Sequence, residues 1–287
     1  MAGFLLLLPL LVVLAVLVPV LARRAPLPVP QRLHAIARST RRWRLAGVLT
    51  GLAAAVATAA AGALGRGPLL AAPTLGLCAL LGVVAGERGV RAPAGPARSA
   101  TMEVRRPRDY LPPVLSSAVG AATVLLAGLL AFTSATGSSD DQGRAGRSLA
   151  RACSDVVTQG LGPWPGSFYA WPLAVALLAG LVVGGVALIA VTCRPRQGED
   201  PTVDDALRRQ AATGVVAALG LLVAAPLVGV GVLAARGLLR ICNAPGSWTA
   251  VGAVLLAVVP LALGVAIWCA SVLVAPLRAH VADPLRA

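Results

Sequence analysis

The chain has 287 residues, 57% hydrophobic and only 13% charged, with a mean hydropathy of +0.83. A soluble domain carries about 25% charged residues, so this composition excludes an ordinary water-soluble fold. The net charge of +14 comes from 25 basic residues, all arginine, against 11 acidic ones. These arginines lie between apolar stretches, which points to anionic phospholipid headgroups, and not nucleic acid, as the partner.

A helix needs about 20 apolar residues to cross the hydrocarbon core. Seven stretches qualify: Phe4 to Ala22, Ala46 to Leu64, Leu69 to Gly86, Val114 to Thr133, Ala170 to Val191, Ala211 to Ala235, and Thr249 to Val274. None contains Asp, Glu, Arg or His, each of which disfavours insertion at a helix centre. The runs are continuously apolar and do not alternate as barrel strands would. The expected fold is therefore all-α, a polytopic transmembrane bundle of about seven spans forming a single membrane domain. The third stretch is the shortest and contains Pro73; if it fails to cross, the count is six. The first is read as an uncleaved span, because Met1 to Gly3 lack the basic residue of a signal peptide.

The first connector, residues 23–45, carries seven arginines, including Arg38, Arg41, Arg42 and Arg44. Leu33, Ile36, Ala37 and Trp43 share a helical face there, the pattern of a basic helix lying in the interface. Those four arginines are the candidate anionic-lipid contacts. The connector 87–113 holds six more arginines, the segment 192–210 four, and the tail two. These segments alternate along the chain, so one orientation places nineteen arginines inside and six outside. Basic short loops stay cytoplasmic, which gives the N-terminus out and the C-terminus in. Tyr110 and Pro112–Pro113 mark the start of the fourth span. Thr202 with Asp205 resembles a capping box, predicting a helix from about Val203 that runs on into the sixth span.

The largest outer connector is 134–169. Its beginning, SATGSSDDQG, reads as mobile. Leu149, Ala152, Cys153, Val156 and Val157 recur at helical spacing, predicting a short helix. Trp164, Phe168, Tyr169 and Trp171 read as an interfacial belt. Cys153 and Cys242 both fall outside, where a disulfide between them can form and persist. Cys78 and Cys269 lie within spans as small packing residues.

Within the spans the motifs are those of packing. Gly47 with Gly51, and Gly180 with Gly184, form GxxxG pairs that let helices approach closely. Pro226 and Pro260 are expected to kink the sixth and seventh spans. His34 and His280, the only histidines, lie outside every span. Neither an HExxH helix nor a GxxxxGK[ST] loop occurs. Glu199, Asp200, Asp204 and Asp205 lack calcium-loop spacing. No catalytic, metal or cofactor set is read from the sequence.

The stretch LLAAPTLGLCALLGVVAGE, the loop ending in VRRPRDYLPP, and DDALRRQA before a span resemble uncharacterised multi-pass membrane proteins of actinobacteria. This resemblance covers about a third of the chain and implies a plasma-membrane location, with no activity to carry over. The expected role is that of a non-enzymatic structural, sensory or accessory envelope protein. The alternative is a transporter or permease subunit for a neutral or lipophilic molecule, its path lined by Thr50, Thr58, Ser116, Ser117, Thr123 and Ser271. An enzyme would need convergent carboxylates, with Glu103, Asp109 and Asp204 as candidates.

Overall fold

The computed structural model describes residues 27–28, 34–89, 106–194, 201–274 and 279–280; the first apolar stretch, Phe4 to Ala22, lies outside them. Six helices follow in order: α1 (His34–Ala61), α2 (Arg66–Arg88), α3 (Pro113–Thr136), α4 (Ser167–Cys193), α5 (Pro201–Arg240) and α6 (Gly246–Val274). All six are long and apolar enough to cross a membrane. The fold is an all-α bundle with two small strand pairs. Strand β1 (Leu27–Pro28) runs parallel to β4 (Ala279–His280), and β2 (Leu149–Ala152) runs antiparallel to β3 (Thr158–Leu161).

The bundle is built around α5. In its apolar stretch 78% of residues are buried, against 22–39% in the other five helices. Four neighbours cover it: α2, α3, α4 and α6 all pack on α5. Leu222, Val223, Ala224 and Val230 are fully buried along it. The outward faces of the surrounding helices carry exposed Leu49, Val56, Val124, Leu178, Val182 and Val254. So much exposed apolar surface suits lipid and not water. The protein is a membrane-embedded bundle.

Glycine sets the tightest approaches. A Cβ at Gly47 would lie 2.7 Å from both the Cys78 carbonyl oxygen and the Gly82 Cα, and one at Gly51 3.0 Å from the Leu75 carbonyl oxygen. The first GxxxG pair therefore seats α1 on α2 within the chain. At the second pair, a Cβ at Gly180 would overlap the Leu222 side chain and one at Gly184 would lie 2.7 Å from Leu219 Cδ1. Those two glycines seat α4 on the spine.

The third apolar stretch is a full helix of 23 residues, with Pro73 buried inside it. The turn before it needs left-handed backbone, at Leu64 (φ 61°) and Gly65 (φ 81°). Helix α5 starts at Pro201 and continues as one element into the sixth span. Pro226 and Pro260 lie within α5 and α6, which run on past them unbroken. The basic segment expected to lie in the interface instead forms the first turns of α1, continuous with the span. Helix formation is cooperative, and nothing between Arg38 and Ala46 stops it.

Two expectations for the large connector are corrected. SLARACSDVV is strand β2 followed by a turn. Leu149 is buried, while Ala152, Val156 and Val157 are exposed, so no helical face is covered. Residues 149–152 gain their backbone partners across the ladder to 158–161. SATGSSDDQG ends in an organised turn: the Asp140 carboxylate accepts hydrogen bonds from the N–H groups of Gln142 (3.0 Å) and Arg144 (2.9 Å).

Candidate functional site

At the end of the bundle where α2 and α4 stop and α5 begins, charged side chains from four elements meet in a buried network. Arg208 is the most enclosed, with no exposed surface. It lies one turn from Asp204 on α5, and its Nε donates to Asp204 Oδ2 at 2.8 Å. Its Nη1 donates to the carbonyls of Val191 (3.0 Å) and Thr192 (2.6 Å), and its Nη2 to that of Arg194. The guanidinium thus caps the C-terminus of α4, whose last carbonyls have no partner within the helix and carry the negative end of the dipole.

Arg194 follows directly as the C-cap residue of α4. Its Nη1 donates to Glu87 Oε2 at 2.9 Å, and its Nη2 lies 3.8 Å from Asp204 Oδ1. Glu87 closes the last turn of α2 and presents its other oxygen, Oε1, to Arg44 Nη2 at 3.6 Å. Arg44 comes from α1. Its guanidinium lies over Gly214 of α5, where a Cβ would stand 3.1 Å from Arg44 Cζ. Arg44, Arg194 and Asp204 are all under a tenth exposed. Alongside, the Tyr110 hydroxyl donates to Asp205 Oδ1 at 3.2 Å, joining the start of α3 to that of α5.

Of the four arginines read as anionic-lipid contacts, Arg38, Arg41 and Arg42 are exposed, while Arg44 faces inward and pairs with Glu87. Four residues on from Arg44, Val48 packs against the core, so this side of α1 faces the bundle.

The opposite end carries a folded cap. The Cys153–Cys242 disulfide, Cα to Cα 5.5 Å, ties the β2–β3 hairpin to the α5–α6 connection. The bond is flanked by the Cys242 N–H donating to Gln159 Oε1 (2.7 Å) and Asn243 Nδ2 donating to the Cys153 carbonyl (2.9 Å). Asp140 accepts from Arg144 Nε (2.7 Å) and Arg147 Nη1 (2.9 Å). Arg147 Nε also donates to the Tyr169 hydroxyl at 3.3 Å, and that hydroxyl donates to the Leu64 carbonyl at 2.6 Å. Burial alone would raise the Asp140 carboxyl, but hydrogen bonds from Arg144 and Gln142 outweigh it and hold the group down to about 2.

The expected aromatic belt divides. Trp164 is buried beneath the cap, its Nε1 donating to the Thr133 carbonyl at 2.8 Å, and Tyr169 is buried too. Phe168 lies under the Arg66 guanidinium, 3.6 Å from Cζ to ring centroid. Trp171, three-quarters exposed, has the outward position of a belt residue. Proline and glycine between these residues turn the chain back over the bundle, and that folds Trp164 inward.

Five of the six hydroxyls proposed to line a path are bonded within their own helices. Thr50, Thr58 and Thr123 each donate to the carbonyl four residues earlier in their own helix, and Ser117 and Ser271 to the one three residues earlier. Ser116 Oγ is buried without a hydrogen-bond partner. The carboxylates considered for catalysis are engaged separately: Asp109 accepts from the Arg106 N–H and Asp204 from Arg208, while Glu103 lies outside the described residues.

No protein-family model, curated protein or solved structure matches this chain.

Proposed function

We propose that this is a non-enzymatic multi-pass protein of the plasma membrane that acts as a structural or accessory scaffold for the cell envelope. In this reading seven spans cross the bilayer, counting Phe4 to Ala22. The N-terminus is outside, and the arginine-rich end with the C-terminus is in the cytosol. Arg38, Arg41 and Arg42 lie against anionic headgroups of the inner leaflet. The disulfide-tied cap is then external, on the oxidising side.

The observation that carries the reading is the packing of α5. A spine covered over 78% of its apolar stretch, seated through glycines against its neighbours, is a solid core of fixed geometry. Its ends hold an ion network on one side and a folded cap on the other. Such a body presents surfaces on both sides of a membrane.

The test is complementation of a deletion strain. One variant replaces Ser138 to Leu161 with a short Gly-Ser linker; the other replaces all six span hydroxyls with Ala or Val. The scaffold reading expects the first to lose function while still inserting, and the second to keep it. Loss of function in a folded hydroxyl-free variant would sink the reading in favour of transport.

A further inference from the structure

We propose that Arg44 and Arg194, the two arginines flanking Glu87, form a binding site for a phosphate oxyanion at the headgroup level of the bilayer. The first support is charge. Among the described residues the network sets three guanidinium groups, on Arg44, Arg194 and Arg208, against two carboxylates, on Glu87 and Asp204. Asp205, alongside, is engaged by the Tyr110 hydroxyl; among the five groups themselves guanidinium outnumbers carboxylate, and an enclosed charge favours an anion.

The second support is which donors are unused. Arg208 spends its guanidinium on Asp204 and three carbonyls. Arg194 donates from its side chain to Glu87; its Nε and Nη2 have no hydrogen-bond partner, although Nη2 lies 3.8 Å from Asp204 Oδ1. Arg44 Nε has none either, and its Nη2 is 3.6 Å from Glu87. Buried polar N–H groups without acceptors are rare and costly. Three of them, on two arginines that both pair with Glu87, suit an acceptor with several oxygens. Arginine's planar fork matches a phosphate group in this way.

Placement gives the third support. Arg44 precedes its apolar stretch by two residues, Glu87 follows one directly, Arg194 follows another, and Arg208 precedes the α5 stretch. All therefore lie where apolar chain gives way to polar, the depth of lipid phosphates. Exposed Arg38, Arg41 and Arg42 on the first turns of α1 add positive potential that draws an anion towards that end. The bare Cα of Gly214 leaves the room in which the Arg44 guanidinium sits. The phosphodiester of a phospholipid and free inorganic phosphate offer the same oxygens, and either fits this chemistry. The inference rests on the membrane-embedded reading, but not on which face is cytosolic.

The experiment uses full-length protein, delipidated in neutral detergent. Thermal unfolding is followed with added phosphatidylglycerol, inorganic phosphate, or diacylglycerol as the phosphate-free lipid; native mass spectrometry counts bound lipid. We expect phosphatidylglycerol or phosphate, and not diacylglycerol, to raise the midpoint of the wild type. A rise with phosphatidylglycerol alone identifies a lipid headgroup; a rise with phosphate identifies the free ion. Arg194→Gln should weaken binding on the order of tenfold, Arg194→Lys by less, and Arg240→Gln, at the other end of the bundle, should leave it unchanged. Glu87→Gln releases both arginines and should tighten binding, so the test survives if Arg194→Gln fails to fold. The proposal is overturned if neither phosphate source outperforms diacylglycerol, if Arg194→Gln binds like wild type, or if Glu87→Gln binds no better. A protein soluble without detergent would instead sink the membrane reading itself.

Discussion

The Arg208 guanidinium donates to the Thr192 carbonyl at 2.6 Å, so the central helix closes the end of its neighbour. Arg208 belongs to the second turn of α5, and Thr192 to the last turn of α4. The same guanidinium holds Asp204, so one side chain satisfies an anion and a helix terminus together.

Removing that side chain should be among the most damaging single changes in the protein. Arg208→Met removes the 2.8 Å donor to Asp204 and leaves three carbonyls without theirs, and breaking a buried pair in this way costs about 3–5 kcal/mol. Thermal unfolding in detergent should show it. Adding Asp204→Leu should recover part of the loss, because a buried carboxylate that has lost its shortest ion pair is then gone.

The glycine contacts divide into tight and open ones. Gly47→Leu drives a side chain into backbone of α2 and should destabilise by at least about 1–3 kcal/mol. Gly128, where a Cβ would meet nothing within 4 Å, should accept Ala with a change within about 0.5 kcal/mol. Parallel melts of the two variants check both.

Loss of the Cys153–Cys242 bond should loosen the cap. The cysteines are 89 residues apart, and cross-links over long loops typically contribute about 2–4 kcal/mol. The Cys153→Ser/Cys242→Ser double variant should melt lower and expose the hairpin to protease. In intact cells, thiol reagents should label this pair only after reduction; strong labelling without reductant would contradict the bond.

Asp140 makes the cap sensitive to acid. Its folded carboxyl is held down to about 2, below the unfolded value of about 3.9. Its contribution is therefore complete above the unfolded value and disappears as pH falls through the folded one. Protection of the amides of residues 137–148, after correction for the pH dependence of intrinsic exchange, should hold from neutral pH to about 4 and fall towards 2. Asp140→Asn should show the lower protection already at neutral pH.

Six of the seven apolar stretches were legible in the sequence as the helices α1 to α6, because continuous apolar runs of bilayer length leave the backbone one way to satisfy itself. What could not be read was the order of packing. Nothing in residues 211–235 marks them as the spine, since a lipid-facing helix is just as apolar. The ion network was hidden for a related reason. Arg44, Glu87, Arg194 and Arg208 each look like ordinary connector charges, and only the fold brings distant connectors to one point. The cap misled in the opposite sense. Leu149 to Val157 has helical spacing, but the backbone partners of residues 149–152 are residues 158–161, and tertiary pairing overrides so short a pattern. One signal was available: Asp140, followed at short range by Gln142, Gly143 and Arg144, is a typical side-chain-to-backbone turn.

In the proposed topology the apolar helices cross the bilayer with the arginine-dense connectors in the cytosol. A membrane-impermeant maleimide applied to intact cells tests it most directly, using single cysteines at Ser99 in one connector and Asp141 in the cap, in a background lacking Cys78, Cys193 and Cys269. The prediction is labelling of Asp141→Cys from outside, and of Ser99→Cys only after the membrane is opened. Labelling of Ser99→Cys in intact cells would contradict that topology.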